Sequence, residues 1–382
     1  MFSQFSRLLC SGSALTIGAV LICTPEFHLS GAESDNQAVE KPMHWTDARE
    51  LEIEGQGWTD TKAAFDRLPA KAEQSVREPV WRLSRHSAGL HLRFITSARS
   101  IYARWALTDA WLYLPNMAAT GVSGLDLYVK MEDGGWRWLG VGQPSSQDNT
   151  VALAENLLPG TREYLIYLPL HNGVKSLEIG VPEGASILAA GLWDSGGRRK
   201  PILFYGTSIQ QGLCASRPGM VHSAILGRRF NWPTINLGFS GEGKMESEMA
   251  ELLAELDPSV YVLDCLPNMD AQLVRERVEP FVHILRRAHP NTPIVLVEDR
   301  TMQDAFLVEY RQAHHDACRR ELKDAFRRLT KDGIAELYYL PGADLLGGDG
   351  EGTTDGSHPN DLGFMRQAEV FAQVLGPLLD RQ

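Results

Sequence analysis

Hydrophobic positions between residues 43 and 195 recur with the short period of β-strands. Runs at 90–96 and 125–130 place apolar side chains at mostly alternating positions. Comparable runs lie at 101–107, 136–139, 164–168 and 177–181, and turn sequences such as 133–135 and 159–160 separate them. No helical period stands out in this stretch. The pattern predicts a β-sandwich of jelly-roll type over residues 43–195.

The pattern changes at residue 200, where short apolar runs begin to alternate with helical segments. The apolar runs lie at 202–205, 234–237, 260–264, 294–297 and 335–340. The helical segments lie at 220–229, 246–256, 271–288, 304–331 and 362–379. Five strand–helix units predict a parallel sheet with helices on both faces. We therefore expect a flavodoxin-like, three-layer α/β domain over residues 200–382, preceded by a linker at 196–200.

The first 32 residues have the pattern of a signal peptide. Arg7 precedes an apolar run at 8–23, and the small residues Ser30, Gly31 and Ala32 follow. We expect cleavage near Ala32 and therefore a secreted or periplasmic protein. The apolar run is short for a membrane span and contains hydroxyl side chains, so the mature chain should have no stable span. Bulky Ile22 before Cys23 argues against a lipid anchor at that cysteine.

Charge and cysteine content narrow the possible partners. The net charge of -11 argues against a nucleic-acid partner, which would need a basic surface. Cleavage would leave Cys214, Cys265 and Cys318, an odd number that argues against a disulfide framework, although one pair remains possible. No cysteine or histidine pattern has the spacing of zinc ligands, so we expect neither a metal nor another cofactor. The oligomeric state is left open.

Polar residues follow the predicted strands at the edge where open α/β sheets bind ligands. Ser208 comes directly after the first strand of the second domain, and Asp355 and His358 lie three residues apart in a glycine-containing turn. A serine nucleophile needs an imidazole to take its proton and a carboxylate to orient that imidazole. Each residue also has a simpler explanation. Ser208 could be no more than a helix cap, and the turn with Asp355 and His358 could be an exposed turn without a catalytic role.

Backbone and amide donors at the same edge could stabilise an oxyanion. The candidates are the N–H of Ser208, the N–H of Gly238 and the side-chain amide of Asn268. Gly238 could instead be a simple turn glycine, and Asn268 a helix cap. Three further polar residues at the ends of predicted strands are candidate substrate contacts: Arg85, His86 and Glu298. The alternative is that these side chains are polar only because they are exposed to solvent.

The segments around these residues resemble the SGNH, or GDSL-like, hydrolase superfamily. The hallmark residues Ser, Gly, Asn and His, with Asp three before the His, correspond to Ser208, Gly238, Asn268, His358 and Asp355. The first block reads Gly-Thr-Ser-Ile instead of Gly-Asp-Ser-Leu, and the third reads Leu-Pro-Asn-Met instead of Gly-x-Asn-Asp. The resemblance covers residues 200–380. It implies a Ser208–His358–Asp355 triad, with the three predicted donors as oxyanion hole.

The first domain carries a second resemblance. Residues 124–128 read Gly-Leu-Asp-Leu-Tyr, which is similar to the Gly-x-Asp-Leu-Tyr signature of the β domain that precedes one branch of these enzymes. Similar two-domain layouts occur among carbohydrate esterases. The resemblance implies an exported serine esterase acting on small acyl esters, above all O-acetyl groups of a polysaccharide. The alternatives are a lipase or thioesterase of the same fold, and a carbohydrate-binding protein whose hydrolase domain is inactive.

Overall fold

The structure is a computed structural model that describes residues 42–191 and 199–381. The predicted signal peptide, Cys23 and most of the predicted linker lie outside these ranges. No helix within them is both long enough and apolar enough to span a bilayer. The three cysteines that they contain, Cys214, Cys265 and Cys318, are buried free thiols, so the disulfide that the sequence left possible is not formed among them.

The first domain consists of two antiparallel sheets, as the alternating pattern predicted. Its strands are β1 Met43–Asp47, β2 His91–Thr96, β3 Ile101–Leu107, β4 Leu125–Lys130, β5 Trp136–Gly142, β6 Asp148–Ala154, β7 Arg162–Tyr167, β8 Val174–Pro182 and β9 Leu188–Ala189. One sheet has the order β1-β8-β3-β6 and the other β5-β4-β7-β2-β9. Inward residues such as Trp105 on β3 and Leu127 on β4 share one buried core. The β-sandwich expected from the sequence is therefore confirmed.

Two helices in this domain were not expected. They are α1 Glu78–Ser84 and α2 Ala119–Val122. Val80, Trp81 and Leu83 of α1 are buried, but they pack on the core of the second domain and not on the sandwich. The helix α1 makes only two turns, so its apolar residues are too few to show a helical period in the sequence. The segment before β2 therefore serves as a cover on the neighbouring domain.

The second domain is a parallel five-stranded sheet. Its strands are β10 Ile202–Gly206, β11 Thr234–Gly238, β12 Val260–Asp264, β13 Ile294–Val297 and β14 Leu337–Leu340. The helices are α3 Ser208–Gln211, α4 His222–Phe230, α5 Ser247–Leu253, α6 Ala271–Ala288, α7 Glu309–Lys331 and α8 Asp361–Leu379. The strand order β11-β10-β12-β13-β14 is that of a flavodoxin-like fold. The chain thus reverses direction across the sheet at β10.

Side chains of the central strands alternate between two cores. Leu203 and Tyr205 of β10 pack toward the layer that contains α5, α6 and α7. Ile202 and Phe204 of the same strand face the layer that contains α8. A strand covered on both faces must be apolar throughout, which explains the uninterrupted run in the sequence. The three-layer arrangement predicted from the sequence is confirmed, although α7 begins at Glu309 instead of residue 304.

The Gly-x-Asp-Leu-Tyr segment joins the two domains. Asp126, fully buried, accepts hydrogen bonds from Arg217 Nη1 and Gly219 N, both at 2.8 Å, and from Trp138 Nε1 at 2.9 Å. Tyr128 Oη receives a further bond from Arg217 Nη1 at 2.5 Å. Arg217 and Gly219 belong to the second domain, in the segment between α3 and α4. The described residues of both domains accordingly belong to one compact unit.

Candidate active site

A sharp strand-to-helix turn presents Ser208. Gly206 ends β10, and Thr207 caps α3 by accepting a hydrogen bond from the N–H of Ile209 at 3.3 Å. Ser208 is the first residue of α3, and Gly212, with φ of 107°, ends this helix after one turn. The serine therefore lies at the carboxyl end of β10, where the strand order reverses and where open α/β sheets bind ligands.

A second turn presents His358. Asp355 Oδ1 accepts hydrogen bonds from the backbone N–H of Ser357 at 3.1 Å and of His358 at 2.8 Å. Gly356 between them has φ of 87°, which a residue with a Cβ adopts only with strain. Asn360 caps α8 by accepting from Gly363 N at 3.0 Å. The turn and the helix start together fix the direction of the imidazole.

The structure brings the three predicted residues together, although Ser208 and His358 are 150 positions apart in the sequence. Ser208 Oγ and His358 Nε2 are 2.9 Å apart, and His358 Nδ1 and Asp355 Oδ2 are 2.8 Å apart. Ser208 is nearly buried, with 6% of its surface exposed, whereas the side chains of His358 and Asp355 are about a quarter and a third exposed. The site therefore opens at the surface. This hydrogen-bonded order is the one needed for proton transfer from a serine to an imidazole.

Asp355 is ionised over the whole working range of pH. Partial burial alone would raise the pKa of its carboxyl, but hydrogen bonds from the His358 backbone, the His358 ring and Asn116 lower that pKa to about 2. Two of these donors are neutral groups that hold the negative charge in place. A fixed carboxylate beside Nδ1 favours the tautomer whose Nε2 can accept a proton.

Cys214 lies beside the triad. Its Sγ lies within 4.8 Å of potential ligand atoms of Asp355 and His358. Burial, with help from the charge of Asp355, raises the pKa of the Cys214 thiol to about 12, so the group stays neutral. Both ring nitrogens of His358 are already hydrogen-bonded. The cluster is therefore a hydrogen-bonded triad with a neighbouring thiol.

Two donors at the carboxyl ends of neighbouring strands have no acceptor among the described residues. Nδ2 of Asn268 is shielded from solvent and has no hydrogen-bond partner among residues 42–191 and 199–381. Asn268 ends a short helical turn directly after β12. The N–H of Ser208 opens α3, where a first-turn N–H has no acceptor inside the helix. Buried donors without partners are costly, so each is available to a ligand atom with negative charge.

Gly238 does not supply the third donor that the sequence predicted. Its N–H already donates to Asn236 Oδ1 at 2.9 Å. A Cβ at this position would lie 2.1 Å from the backbone nitrogen of Gln211, so the glycine is needed for close packing under α3. Gly241, in the same loop, has φ of 74°, and its N–H has no acceptor in the described part of the chain. Gly241 replaces Gly238 as the candidate.

The three predicted substrate contacts have structural partners. The prediction that Glu298 contacts substrate needs correction. Its buried carboxylate accepts hydrogen bonds from Tyr339 Oη at 2.5 Å and from Gly342 N at 2.9 Å. Arg85 donates to Asp66 at 2.8 Å, and His86 Nδ1 lies 3.1 Å from Gln211 Nε2. No described contact joins Arg85 or His86 to the triad.

Two residues of the site were missed in the sequence. Asn116 Nδ2 donates to Asp355 Oδ2 at 2.8 Å, although the two residues are 239 positions apart and belong to different domains. Gln211 is a second, buried in α3, where its Oε1 accepts from Ser240 N at 2.9 Å and holds the loop of Gly241. Gln211 follows the Ser208 block directly, but no periodicity or motif surrounds Asn116, so no signal in the sequence could have singled it out.

Comparisons with known proteins cover both domains. Residues 199–376 match the model of the GDSL-like lipase/acylhydrolase family. Residues 43–187 match the model described as the N-terminus of the SGNH-hydrolase-type esterase. A search of curated proteins found no match. The two matched ranges agree with the sandwich and with the parallel-sheet domain.

Solved structures share the complete two-domain architecture. A protein from Bacteroides ovatus assigned as a GDSL-like lipase is 35% identical, with a TM-score of 0.85 over 89% of this chain and 98% of that one. A salicylyl-acyltransferase from a tetracycline biosynthetic pathway is 18% identical, with a TM-score of 0.69 over 88% and 97%. A family two carbohydrate esterase from Cellvibrio japonicus is 13% identical, with a TM-score of 0.58 over 89% and 99%. By its identity to the first of these proteins and by the family model over its second domain, the chain belongs to the GDSL-like lipase/acylhydrolase family.

Proposed function

We propose that the protein is an exported serine esterase that removes small acyl groups, above all O-acetyl groups of a polysaccharide. The observation that carries the proposal is the hydrogen-bonded series Ser208 Oγ, His358 Nε2, His358 Nδ1 and Asp355 Oδ2. Family membership supports ester chemistry, and the fold shared with carbohydrate esterases supports a sugar ester as substrate. An acetyl xylan esterase from Butyrivibrio proteoclasticus has the same fold at 11% identity and a TM-score of 0.54.

The first half of the reaction forms an acyl-enzyme. His358 Nε2 takes the proton of Ser208 Oγ while Oγ bonds to the acyl carbon, and the carbonyl oxygen becomes an oxyanion. The N–H of Ser208, Asn268 Nδ2 and the N–H of Gly241 donate to that oxygen. Collapse of the intermediate breaks the bond to the alcohol, which takes the proton from His358. Asp355 stays ionised and stabilises the imidazolium.

The second half releases the acyl group. A water molecule gives its proton to His358 as its oxygen bonds to the acyl carbon, and the same donors stabilise the second oxyanion. The bond to Ser208 Oγ then breaks, and Oγ recovers the proton from His358. The products are a carboxylic acid and an alcohol. Every proton moves between Ser208, His358, water and the leaving alcohol, so the chemistry needs no further group.

A lipase-like specificity is a second candidate, because apolar side chains are exposed beside the catalytic turn. Phe306, Leu307 and Tyr310 are 79%, 81% and 69% exposed. Their segment is tied to the turn by Gln303 N, which donates to Gly356 O at 2.8 Å. Exposed apolar clusters of this kind commonly bind apolar ligands. This surface would favour a longer acyl chain or an apolar alcohol over acetate.

Hydrolysis of p-nitrophenyl acetate, butyrate and octanoate tests the proposal. The mature protein is compared with Ser208→Ala and with Ser186→Ala, a control at an exposed serine in the first domain. We expect acetate to react fastest, Ser186→Ala to match the wild type, and Ser208→Ala to lose activity by about a million-fold or to the detection limit. Acetate release from acetylated xylan then tests the sugar ester. Preference for octanoate would favour the lipase, and equal inactivity of all three proteins would favour the carbohydrate-binding alternative.

A further inference from the structure

Among the described residues, one donor from outside its own turn reaches the carboxylate of Asp355. Its Oδ1 accepts from the backbone of Ser357 and His358, and its Oδ2 accepts from His358 Nδ1 at 2.8 Å. The remaining donor is Asn116 Nδ2, also at 2.8 Å from Oδ2. Asn116 belongs to the β-sandwich domain, in the segment between β3 and α2. A side chain of the first domain therefore touches the oxygen that orients the imidazole.

Asn116 is held rigidly by its own segment. Leu114 N donates to Met117 O at 3.1 Å and Met117 N donates to Leu114 O at 3.0 Å, so Pro115 and Asn116 form the tip of a tight turn. Met117 is 4% exposed and packs with Ile209 and other apolar residues that follow Ser208. Pro115 further restricts the backbone at the tip. The amide is thus fixed relative to the serine as well as to the aspartate.

Thr120 anchors the segment a second time. Its Oγ1 donates to Ser216 O at 2.6 Å, and Ser216 in turn donates from its N–H to Asp361 Oδ1 at 2.9 Å. Asp361 begins α8, the helix that follows the His358 turn. The segment that carries Asn116 is therefore connected to both turns of the triad, the one with the nucleophile and the one with the base.

We propose that Asn116 is a positioning residue, by which the β-sandwich domain completes the triad of the hydrolase domain. The inference rests on the esterase function proposed above. A second donor on Oδ2 restricts rotation of the carboxylate, so that Oδ2 stays aligned with His358 Nδ1. Because the amide is neutral, it supplies this restraint without a positive charge that would oppose the imidazolium formed during the reaction.

The charges around His358 make the proposal measurable. The titratable groups against the ring are Asp355, Cys214 and, further away, His171. Burial raises the pKa of Cys214 to about 12 and holds the pKa of His171 well below its ordinary value, so both are neutral at working pH. Asp355, with its pKa of about 2, is the charged group of the three. A new charge at position 116 should therefore be detectable.

Two substitutions separate orientation from charge. Asn116→Ala removes the donor, and we expect kcat on p-nitrophenyl acetate to fall about 10- to 100-fold with little change in KM, as for loss of one hydrogen bond to a charged group. Asn116→Asp is nearly isosteric but adds a carboxylate beside Asp355. Negative charge stabilises the imidazolium, so the acid limb of the kcat/KM profile should move to higher pH.

Controls and a second readout make the test decisive. Asn291→Ala, an exposed asparagine before β13 at the opposite edge of the sheet, should leave kcat and the pH profile unchanged. Thermal unfolding identifies any variant that fails to fold. The proton NMR signal of the His358 Nδ1–H, identified by its loss in Asp355→Asn, reports the hydrogen bond without any substrate. We expect this signal to shift or broaden in Asn116→Ala.

The outcomes distinguish this inference from the proposed function. An unchanged NMR signal in Asn116→Ala, or wild-type kcat together with an unmoved acid limb in both variants, would overturn the positioning role even if the wild type is an active esterase. A wild type that does not cleave esters would overturn the proposed function, while the NMR comparison would still decide whether Asn116 holds Asp355. Loss of kcat with an altered NMR signal supports both.

Discussion

At the scale of single residues, the buried amide of Asn268 contrasts with that of Asn236. Nδ2 of Asn268 has no partner among the described residues, whereas Asn236 donates to Gln210 O at 2.8 Å and accepts from Gly238 N at 2.9 Å. Asn268 follows the carboxyl end of β12, whereas Asn236 lies in the middle of β11. A satisfied buried amide contributes to stability, while an unsatisfied one reduces it. The two side chains should therefore respond to substitution in opposite ways.

We predict that Asn268→Ala lowers kcat about 10²- to 10³-fold, because one donor to the oxyanion is lost. Its free energy of unfolding should stay the same or rise, since no protein hydrogen bond is broken. Asn236→Ala should instead lower the free energy of unfolding by about 1–3 kcal/mol. Steady-state kinetics and urea unfolding check both variants. A strongly destabilised Asn268→Ala with normal kcat would contradict the role of Asn268 as a donor.

The sequence predicted those site residues whose position is set by the local turn in which they lie. Asp355 and His358 lie in one turn, and Ser208 directly follows a strand, so local pattern and chain order were sufficient. Gly238 was assigned wrongly because its N–H is occupied by the side chain of Asn236, which a motif cannot reveal. Asn116 was missed for a related reason. Its contact with Asp355 depends on how two domains pack, and its loop has no periodicity.

At the scale of elements, one buried ion pair ties β12 to α8. Arg300, after β13, donates to Asp264 Oδ1 at 2.5 Å and to Oδ2 at 2.6 Å, and both side chains are 1% exposed. Arg300 Nε also donates to Gln367 Oε1 on α8 at 2.9 Å. Asp264 ends the strand that leads to Asn268, and α8 follows the His358 turn. The pair therefore connects the Asn268 side of the candidate site to the His358 side.

We predict that Arg300→Met lowers the free energy of unfolding by about 3–5 kcal/mol, because the carboxylate of Asp264 would remain buried without its partner. The double variant Asp264→Leu with Arg300→Met should be less destabilised than the sum of the single variants, since neither charge remains. Urea unfolding of the three variants measures this coupling. Additive losses would mean that the two charges do not depend on each other.

Elements with strong internal patterns were predicted well. The strands at 260–264 and 294–297 and the helix at 271–288 have the predicted bounds, because their apolar periodicity extends over the complete element. The helix α1 was missed, since its buried residues face a different domain and its two turns carry little pattern. The start of α7 was placed five residues early, as residues 304–307 form turns before the helix.

At the scale of the whole molecule, the two domains share packing and hydrogen bonds. Trp81 of α1 lies in the core of the parallel-sheet domain, and Met117 packs with Ile209, which directly follows Ser208. Arg67, fully buried, donates to the backbone oxygens of Asn236 at 3.2 Å and Gly238 at 2.7 Å. Shared cores of this kind make independent unfolding of either domain unfavourable. The molecule should therefore unfold as one unit.

We predict a single calorimetric transition for the wild type and for Asp126→Ala, with the variant less stable by about 3–5 kcal/mol. The substitution leaves Arg217 Nη1, Gly219 N and Trp138 Nε1 without their shared acceptor. Asp148→Ala, at an exposed aspartate of the same domain, should change stability by no more than about 0.5 kcal/mol. Two separate transitions in the wild type would show that the domains unfold independently.

The contact between Asp126 and Arg217 also constrains how such proteins can diverge. Asp126 has three donors and no exposure, so its replacement costs stability, and a matching change at Arg217 should reduce that cost. Recombination that exchanged one domain for that of a distant relative would separate the two partners at once. Aligned descendants should accordingly show paired changes at positions 126 and 217, and chimeras should be more stable when both positions come from one parent.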